Sequence, residues 1–176
     1  IAQNTCDGPA GTDRTVYVGN WGMGEHNRRY VSADLAGVNR DTVGDLELAW
    51  SLAFPRVSDM RSQPAIVGDT LYFGDKTGKL YAIDRKRGCI LRHTEVLSGI
   101  RSAITVVEQA GASPLLVFAD SMASIYAVDA ATFDIRWQSE ADYQSDDLSL
   151  ARVTTMTYDE RGNLIRTDYP DGTSTR

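Results

Sequence analysis

One sequence unit occurs twice in the chain, and this duplication restricts the fold more than any other feature. The first copy is centred on the stretch TLYFGDKTGKLYAIDRKRGCILR at residues 70–92. Three blocks of the second copy follow their counterparts by 45 residues: LVFAD from Leu116, IYAVD from Ile125 and IRW from Ile135. In both copies short apolar segments alternate with tight polar turns, which predicts short antiparallel strands. A repeat of this length with four short strands is typical of a β-propeller blade.

The two copies differ in length at a single loop. Arg101 follows Arg61 by 40 residues, whereas the later blocks are 45 residues apart. The five additional residues therefore lie where Gly68–Thr70 of the first copy becomes Glu108–Leu115 of the second. A length change confined to one loop is expected of a duplicated structural unit, because surface loops tolerate insertions.

The repeat predicts an all-β fold, a partial β-propeller of about two and a half blades with four antiparallel strands each. The predicted organisation is an N-terminal arm with the outer strand of a first blade at residues 1–60, a blade at 61–97, a second blade at 101–140, and a linker with a hairpin tail at 141–176. The arm should hold a short edge strand at 16–18, a helical turn near 41–44 and a strand from Leu46 to Leu52.

Composition sets broad limits on function. The net charge of −6, from 18 basic and 24 acidic residues, argues against a nucleic acid as partner. No apolar run of about 18 residues is present, so no membrane span is predicted. Cys6 and Cys89 either form one bridge, which implies an oxidising compartment, or are two unrelated thiols. Because the sequence begins with Ile1 rather than Met, we expect a piece cut or processed from a longer protein.

The repeat carries a family signature. In the second copy Tyr-Ala-aliphatic-Asp is followed by a turn and by a tryptophan eight residues after the aspartate, from Asp129 to Trp137. In the first copy Arg92 stands in place of that tryptophan, and in the second Phe133 stands in place of the repeat glycine, Gly88. This pattern resembles the tryptophan docking repeat of the pyrroloquinoline quinone (PQQ) dehydrogenases.

Further segments narrow the resemblance, which covers about residues 15–155. The segments that resemble the start of the first blade in that family are Trp21-Gly22, Asn27 to Tyr30, Val43 to Leu46 and Ala49-Trp50. Those that resemble the polyvinyl-alcohol-dehydrogenase branch of these quinoproteins are Phe54-Pro55, Arg61 to Pro64 and Gly88-Cys89.

The resemblance implies an enzyme that oxidises alcohols to carbonyls by hydride transfer to a PQQ cofactor, with Ca²⁺ as a Lewis acid. It also implies a small or polymeric alcohol as substrate, a cytochrome c-type electron acceptor, and a periplasmic or secreted protein. The general base is left unassigned, because the repeated aspartates at 75, 84, 120 and 129 are predicted to cap turns. We expect the piece alone to be inactive, since most blades of such an enzyme would be missing.

Cofactor ligands are predicted from the chemistry of PQQ, which carries three carboxylates and an ortho-quinone. Guanidinium groups suit planar carboxylates. Arg61 and Arg101 occupy equivalent places before the innermost strand of each blade, and Arg152 would be a third. Gln63 is predicted to donate to a quinone or carboxylate oxygen. The alternative is that these arginines are rim residues held by neighbouring loop carbonyls.

Two other functions stay open. One is a non-catalytic propeller scaffold of the same repeat that mediates protein interaction. The other follows from the tail, since Met156 to Arg176, with the stretch YDERGNLIRTDYPDGTSTR, resembles a YD repeat of the Rhs family of β-shells that enclose toxins. That resemblance predicts a junction near residue 155 and a fragment of a shell protein.

Overall fold

The computed structural model describes residues 4–8, 11–23, 26–142, 152–159, 164–169 and 172–175. The strands in these residues are β1 (Val16–Val18), β2 (Ala65–Val67), β3 (Thr70–Gly74), β4 (Lys79–Asp84), β5 (Ile90–Glu95), β6 (Thr105–Val107), β7 (Leu115–Ala119), β8 (Ile125–Asp129), β9 (Ile135–Asp142), β10 (Arg152–Tyr158), β11 (Leu164–Asp168) and β12 (Ser174–Thr175). Helical structure in the same residues consists of α1 (Ala33–Ala36) and a 3-10 turn at Val43–Asp45, close to the predicted helical turn. No helix in the described ranges is long and apolar enough to cross a membrane.

Two antiparallel sheets confirm the duplicated unit as a pair of propeller blades. Strands β2 to β5 form the first blade and β6 to β9 the second, each in sequence order. The register repeats with the sequence, because Phe73 pairs with Tyr81 in the first blade and Phe118 with Tyr126 in the second. Both blades also shift register at the equivalent place between their last two strands. The fold is therefore an open, partial β-propeller.

The two blades pack face to face through one apolar core. The first blade contributes Tyr72 and Leu80, and the second contributes Leu116, Tyr126 and Val128. All five side chains are buried. Burial on this scale supplies most of the energy that joins two sheets, at roughly 25 cal/mol per Å² of apolar surface.

The other face of the first blade is covered by the N-terminal segment. Phe73, Tyr81 and Ile83 point to this face, and residues 50–54 pack against them. The edge-to-face contact between Phe54 and Phe73, with ring centroids 5.2 Å apart, is part of this cover. The apolar character of both faces of β4, visible in the sequence, is explained because each face meets a partner.

Trp50 docks on the corner of the first blade. Its indole Nε1 donates to the carbonyl of Arg85 at 2.8 Å. A Cβ on Gly88 would lie only 2.4 Å from Cγ of Trp50, so the glycine is required for the contact. The predicted strand from Leu46 to Leu52 is wrong, however, because no strand in the described part of the chain pairs with this segment.

The N-terminal arm lies along the inner edge of the blades. Strand β1 pairs with β2 and confirms the predicted edge strand. Nearer the terminus, Cys6 and Cys89 form a disulfide with an S–S distance of 2.03 Å, and Thr5 makes a parallel bridge to Ile90. The structure thus selects the bridged state of the two cysteines, which sequence reasoning left open.

The tail extends the second blade instead of starting a third. Strand β10 pairs with β9 over all but its last residue, from Arg152 opposite Asp142 to Thr157 opposite Trp137. Strands β11 and β12 continue outward and give a seven-stranded sheet. The predicted hairpin after residue 156 corresponds to the antiparallel pair β10 and β11, and residues 160–163 lie outside the described residues.

Candidate functional site

The loops that connect the strands lie at two opposite ends of the blade pair. One end, called here the arginine end, carries the loops at 61–64, 75–78, 96–102 and 120–124. Hydrogen bonds join these loops between the blades, with the amide of Ile100 donating to the carbonyl of Asp75 at 2.8 Å. The other end, called here the disulfide end, carries the turns at 68–69, 85–89, 108–114 and 130–134.

A repeated serine fixes the start of each blade at the arginine end. In the first blade Ser62 Oγ accepts from the amide of Gly74 at 3.3 Å. In the second Ser102 Oγ accepts from the amide of Ala119 at 2.8 Å. The residue before each serine is therefore held at an equivalent position on its blade.

Those residues are Arg61 and Arg101, and the structure brings both to the arginine end with exposed side chains. Arg61 Nη2 lies 3.2 Å from Asp59 Oδ2 in a solvent-exposed ion pair, which is a weak interaction. Arg101 makes no ion pair with an acidic residue of the described part. Both guanidinium groups are thus accessible to an anionic ligand, and neither is held by a loop carbonyl in the described hydrogen bonds.

Gln63 contacts the N-terminal arm. Its Nε2 donates to the carbonyl of Asn20 at 2.7 Å, and its own backbone carbonyl accepts from Ile104 at 3.1 Å. One amide proton of the side chain is therefore used internally, which leaves the second as the donor for a ligand.

Arg152 is not at the equivalent position. It begins β10, which lies beyond the outer strand of the second blade. Four strand spacings separate β10 from the inner strand β6, or about 19 Å across the sheet. The side chain of Arg152 lies outside the described residues. Arg152 is therefore far across the sheet from the inner strands, beside which Arg61 and Arg101 lie.

The repeated aspartates cap turns, as predicted. Asp75 Oδ1 accepts from the amides of Thr77 and Lys79 at 2.8 and 3.1 Å, and Tyr81 donates to Oδ2 at 3.1 Å. Asp120 has the equivalent bonds, including one from Tyr126 at 2.9 Å. Burial, and then the hydrogen bond to Asp120, raises the pKa of Tyr126 to about 12.

Asp84 and Asp129 cap the next turn of each copy. Each Oδ1 accepts from the backbone amides two and three residues later. Burial works to raise the pKa of both carboxyls, but these amide donors outweigh it and hold the pKa below its usual value. The four aspartates are therefore structural in this part of the chain.

The arginine end includes one pair that sequence reasoning did not treat as functional. The guanidinium of Arg29 lies 5.5 Å from the ring centre of Trp21. The hydrogen bond from Gln63 to Asn20 holds the neighbouring backbone at this end. The signal for this pair in the sequence is the position of Trp21 in a segment that resembles the start of the first blade.

The donor set at the arginine end fits a polycarboxylate better than a metal. Two exposed guanidinium groups and one free amide proton match the carboxylates of a ligand such as PQQ. Within the described residues, no three His, Cys, Asp or Glu side chains lie together where they would hold an ion. The described residues at this end therefore offer donors for carboxylates but no ligand set for a metal ion.

Comparison with known families gives a match over almost the whole chain. The family model PQQ_2, described as outer membrane protein assembly factor BamB, matches residues 7–176. The match runs through the tail, including the segment that resembles a YD repeat. It gives the Rhs interpretation of that segment no support.

Two curated relatives are similar over most of the chain. The polyvinylalcohol dehydrogenase of a Pseudomonas species is 28% identical over 127 residues, which are 70% of this chain and 19% of the relative. The polyvinylalcohol dehydrogenase of Sphingopyxis sp. (strain 113P3) is 27% identical over 116 residues, or 64% of this chain and 17% of the relative. The chain thus spans about a fifth of the length of the curated relatives it matches.

Among solved structures, the quinohemoprotein alcohol dehydrogenase from Comamonas testosteroni has the same fold. It superposes with a TM-score of 0.55 and 16% sequence identity, covering 85% of this chain and 26% of that protein. At this identity the likeness establishes the propeller fold.

Proposed function

This chain belongs to the PQQ_2 family, described as outer membrane protein assembly factor BamB, and from that premise we propose that it is part of a PQQ-dependent alcohol dehydrogenase. The proposal is specific to the polyvinyl-alcohol branch. The observation that carries it is the similarity to two polyvinylalcohol dehydrogenases across 70% and 64% of the chain.

The arginine end is the proposed cofactor surface. Arg101 is the main ligand, because its guanidinium is exposed and makes no ion pair with a described acidic residue. Arg61, at the equivalent position of the first blade, binds the same ligand after its exposed ion pair with Asp59 breaks. Gln63 donates its second amide proton to the same ligand. When bound, PQQ supplies the quinone that accepts hydride from an alcohol.

The remaining parts of the activity are also proposals. The substrate is a small or polymeric alcohol and the electron acceptor a cytochrome c-type protein. The general base and the Ca²⁺ ligands would come from the larger share of the relatives' length that this chain does not match. A periplasmic or secreted location is supported by the disulfide between Cys6 and Cys89, which needs an oxidising compartment. The two blades alone would be inactive.

The activity is tested on the protein that carries this chain, purified without cofactor. Addition of PQQ and Ca²⁺ should produce alcohol-dependent reduction of an artificial electron acceptor, with polyvinyl alcohol and short secondary alcohols as substrates. Arg101→Gln should raise the PQQ concentration required for half-maximal activity about tenfold, in line with loss of a charge-assisted bond. The exposed Arg40→Gln is the matched control. Absence of alcohol oxidation in the presence of PQQ and Ca²⁺ would refute the proposal.

A scaffold is the second candidate function, and the description of the matched family as an assembly factor favours it. In that case the propeller would present its surfaces to other proteins and would bind no quinone. The folded protein would then show neither PQQ binding nor alcohol oxidation, and it would co-purify with partners of the cell envelope.

A further inference from the structure

A cavity of about 440 Å³ lies between the two blades at the disulfide end, away from Arg61 and Arg101. Its size is within the range of small-molecule sites. The residues that matter for its chemistry are Arg14, Tyr72, Glu108, Gln109, Ser113 and Ala130. They come from the N-terminal arm, the first blade and the second blade, so the cavity exists only when the three are assembled.

One wall of the cavity is the loop in which the two copies differ. The first blade has a two-residue turn at Gly68-Asp69. The second blade has the longer loop that begins at Glu108, and residues 108, 109 and 112–114 of this loop line the cavity. The insertion thus builds a concave surface that an unmodified repeat would lack. Loops with such additions often carry function on a rigid scaffold.

Arg14 is placed in the cavity by a fixed backbone. The amide of Gly68 donates to the carbonyl of Thr15 at 2.7 Å. Gly68 has a φ of +54°, and an added Cβ would lie 2.0 Å from the carbonyl oxygen of Asp13, so the arm fits only against glycine. Asp13 and Thr15, the residues on both sides of Arg14, are therefore fixed in place against Gly68. Among the described residues, its guanidinium makes a long 3.4 Å bond to the carbonyl of Gly11 and no ion pair.

Tyr72 supplies a second donor at the base of the cavity. Its side chain is 5% exposed, and its hydroxyl donates to the carbonyl of Ala130 at 3.4 Å, which is long for this type of bond. Burial raises the pKa of Tyr72, so the phenol stays protonated and able to donate. Arg92, which donates to the carbonyl of Ala131, adds positive charge beside the same wall.

We propose that this cavity binds a small organic monocarboxylate with an apolar body. Arg14, Tyr72 and Gln109 all line the cavity and would donate to one anionic group, for which the Tyr72 hydroxyl turns its single proton from the carbonyl of Ala130 to the ligand. Ala130 and the Tyr72 ring offer apolar contact. Arginine paired with a second donor is the usual arrangement for a carboxylate. The carboxylate of Glu108 on the same wall disfavours a second negative charge on the ligand. The proposal is independent of the PQQ surface at the other end.

Isothermal titration of the protein that carries this chain tests the site, with benzoate as the probe and benzamide and phthalate as its neutral and dianionic analogues. Benzoate should bind, whereas benzamide and phthalate should bind at least about tenfold more weakly. Arg14→Gln should weaken benzoate binding about tenfold and Tyr72→Phe by a smaller factor, while Arg40→Gln leaves it unchanged.

Arg14 is exposed, so its substitution should leave the core intact. Circular dichroism is used to check that each variant is folded. The proposal is overturned if benzoate does not bind, or if benzamide binds equally well. It is also overturned if Arg14→Gln has no effect on the benzoate affinity.

Discussion

Gly88 and Phe133 occupy the same position in the two blades and share a left-handed backbone, with φ of 67° and 68°. In the first blade the absent side chain makes room for the indole of Trp50. In the second blade the buried Phe133 ring stacks on Tyr72, with ring centroids 6.0 Å apart, and Arg92 stands where the docking tryptophan would be. Arg92 still donates to a turn carbonyl, that of Ala131, as Trp50 does to Arg85. We therefore expect the two departures from the repeat to compensate for each other.

A double-mutant cycle on Arg92 and Phe133 tests this compensation. Phe133→Gly should lower the free energy of unfolding by about 2–3 kcal/mol, because the lost packing exceeds the relief of left-handed strain. Arg92→Trp should also destabilise, since the indole would meet the Phe133 side chain. The double variant should be at least about 1 kcal/mol more stable than the sum of the single effects in urea unfolding. Additive effects would show that the two positions do not interact.

Alkaline stability should depend on Tyr126. Burial and the bond to Asp120 raise its pKa to about 12, whereas an unfolded tyrosine ionises near 10. The raised pKa favours folding below pH 10, and this contribution is lost as pH rises toward 12. Tyr126→Phe should cost about 1–3 kcal/mol at pH 7 through the lost bond to Asp120, and should flatten the decline in stability above pH 10.

Urea unfolding from pH 7 to 11.5 measures this dependence, with Tyr30→Phe as the control because Tyr30 is 70% exposed. If the free energy of unfolding of Tyr126→Phe declines above pH 10 as steeply as that of the parent protein, Tyr126 is not the source of the alkaline dependence.

The disulfide between Cys6 and Cys89 should contribute substantially to stability. It joins residues 83 positions apart and anchors the arm on the first blade. Replacing both cysteines by serine should lower the free energy of unfolding by about 2–4 kcal/mol. Reduction with dithiothreitol should lower the stability of the parent protein by a similar amount and leave the serine variant unchanged. Equal stability of all forms would show that the arm is held without the bridge.

Self-association should depend on the face of the second blade that points away from the first. Ile125 is 42% exposed on this face, next to the half-buried Trp137. A contiguous apolar patch favours association. Ile125→Lys should therefore reduce the oligomer fraction in analytical ultracentrifugation, while Leu35→Lys, at an exposed site on α1, should not. An unchanged distribution for Ile125→Lys would place the contact elsewhere.

Much of the fold follows from the repeat. Because aligned copies must share a backbone, the duplicated segments predicted the paired strands and the capping roles of Asp75 and Asp120. The docking of Trp50 follows from its place in the repeat, since it precedes Arg92 by 42 residues and Trp137 by 87. Arg61 and Arg101 both lie at the arginine end because they occupy equivalent positions in the repeat.

Other features depend on partners that the local sequence does not specify. The segment 46–52 has the alternation of a strand, but no described strand pairs with it. Arg152 resembles the arginine that opens a blade, yet β10 pairs with the outer strand of the sheet. The bridge between Cys6 and Cys89 depends on the path of the arm, which spacing alone does not give.

Direct titration of PQQ into the folded protein that carries this chain tests the central claim. Isothermal titration should show saturable binding, weakened about tenfold by Arg101→Gln and unaffected by Arg40→Gln. No binding of PQQ to the folded protein, or equal affinity in the Arg101→Gln variant, would contradict the proposed cofactor surface.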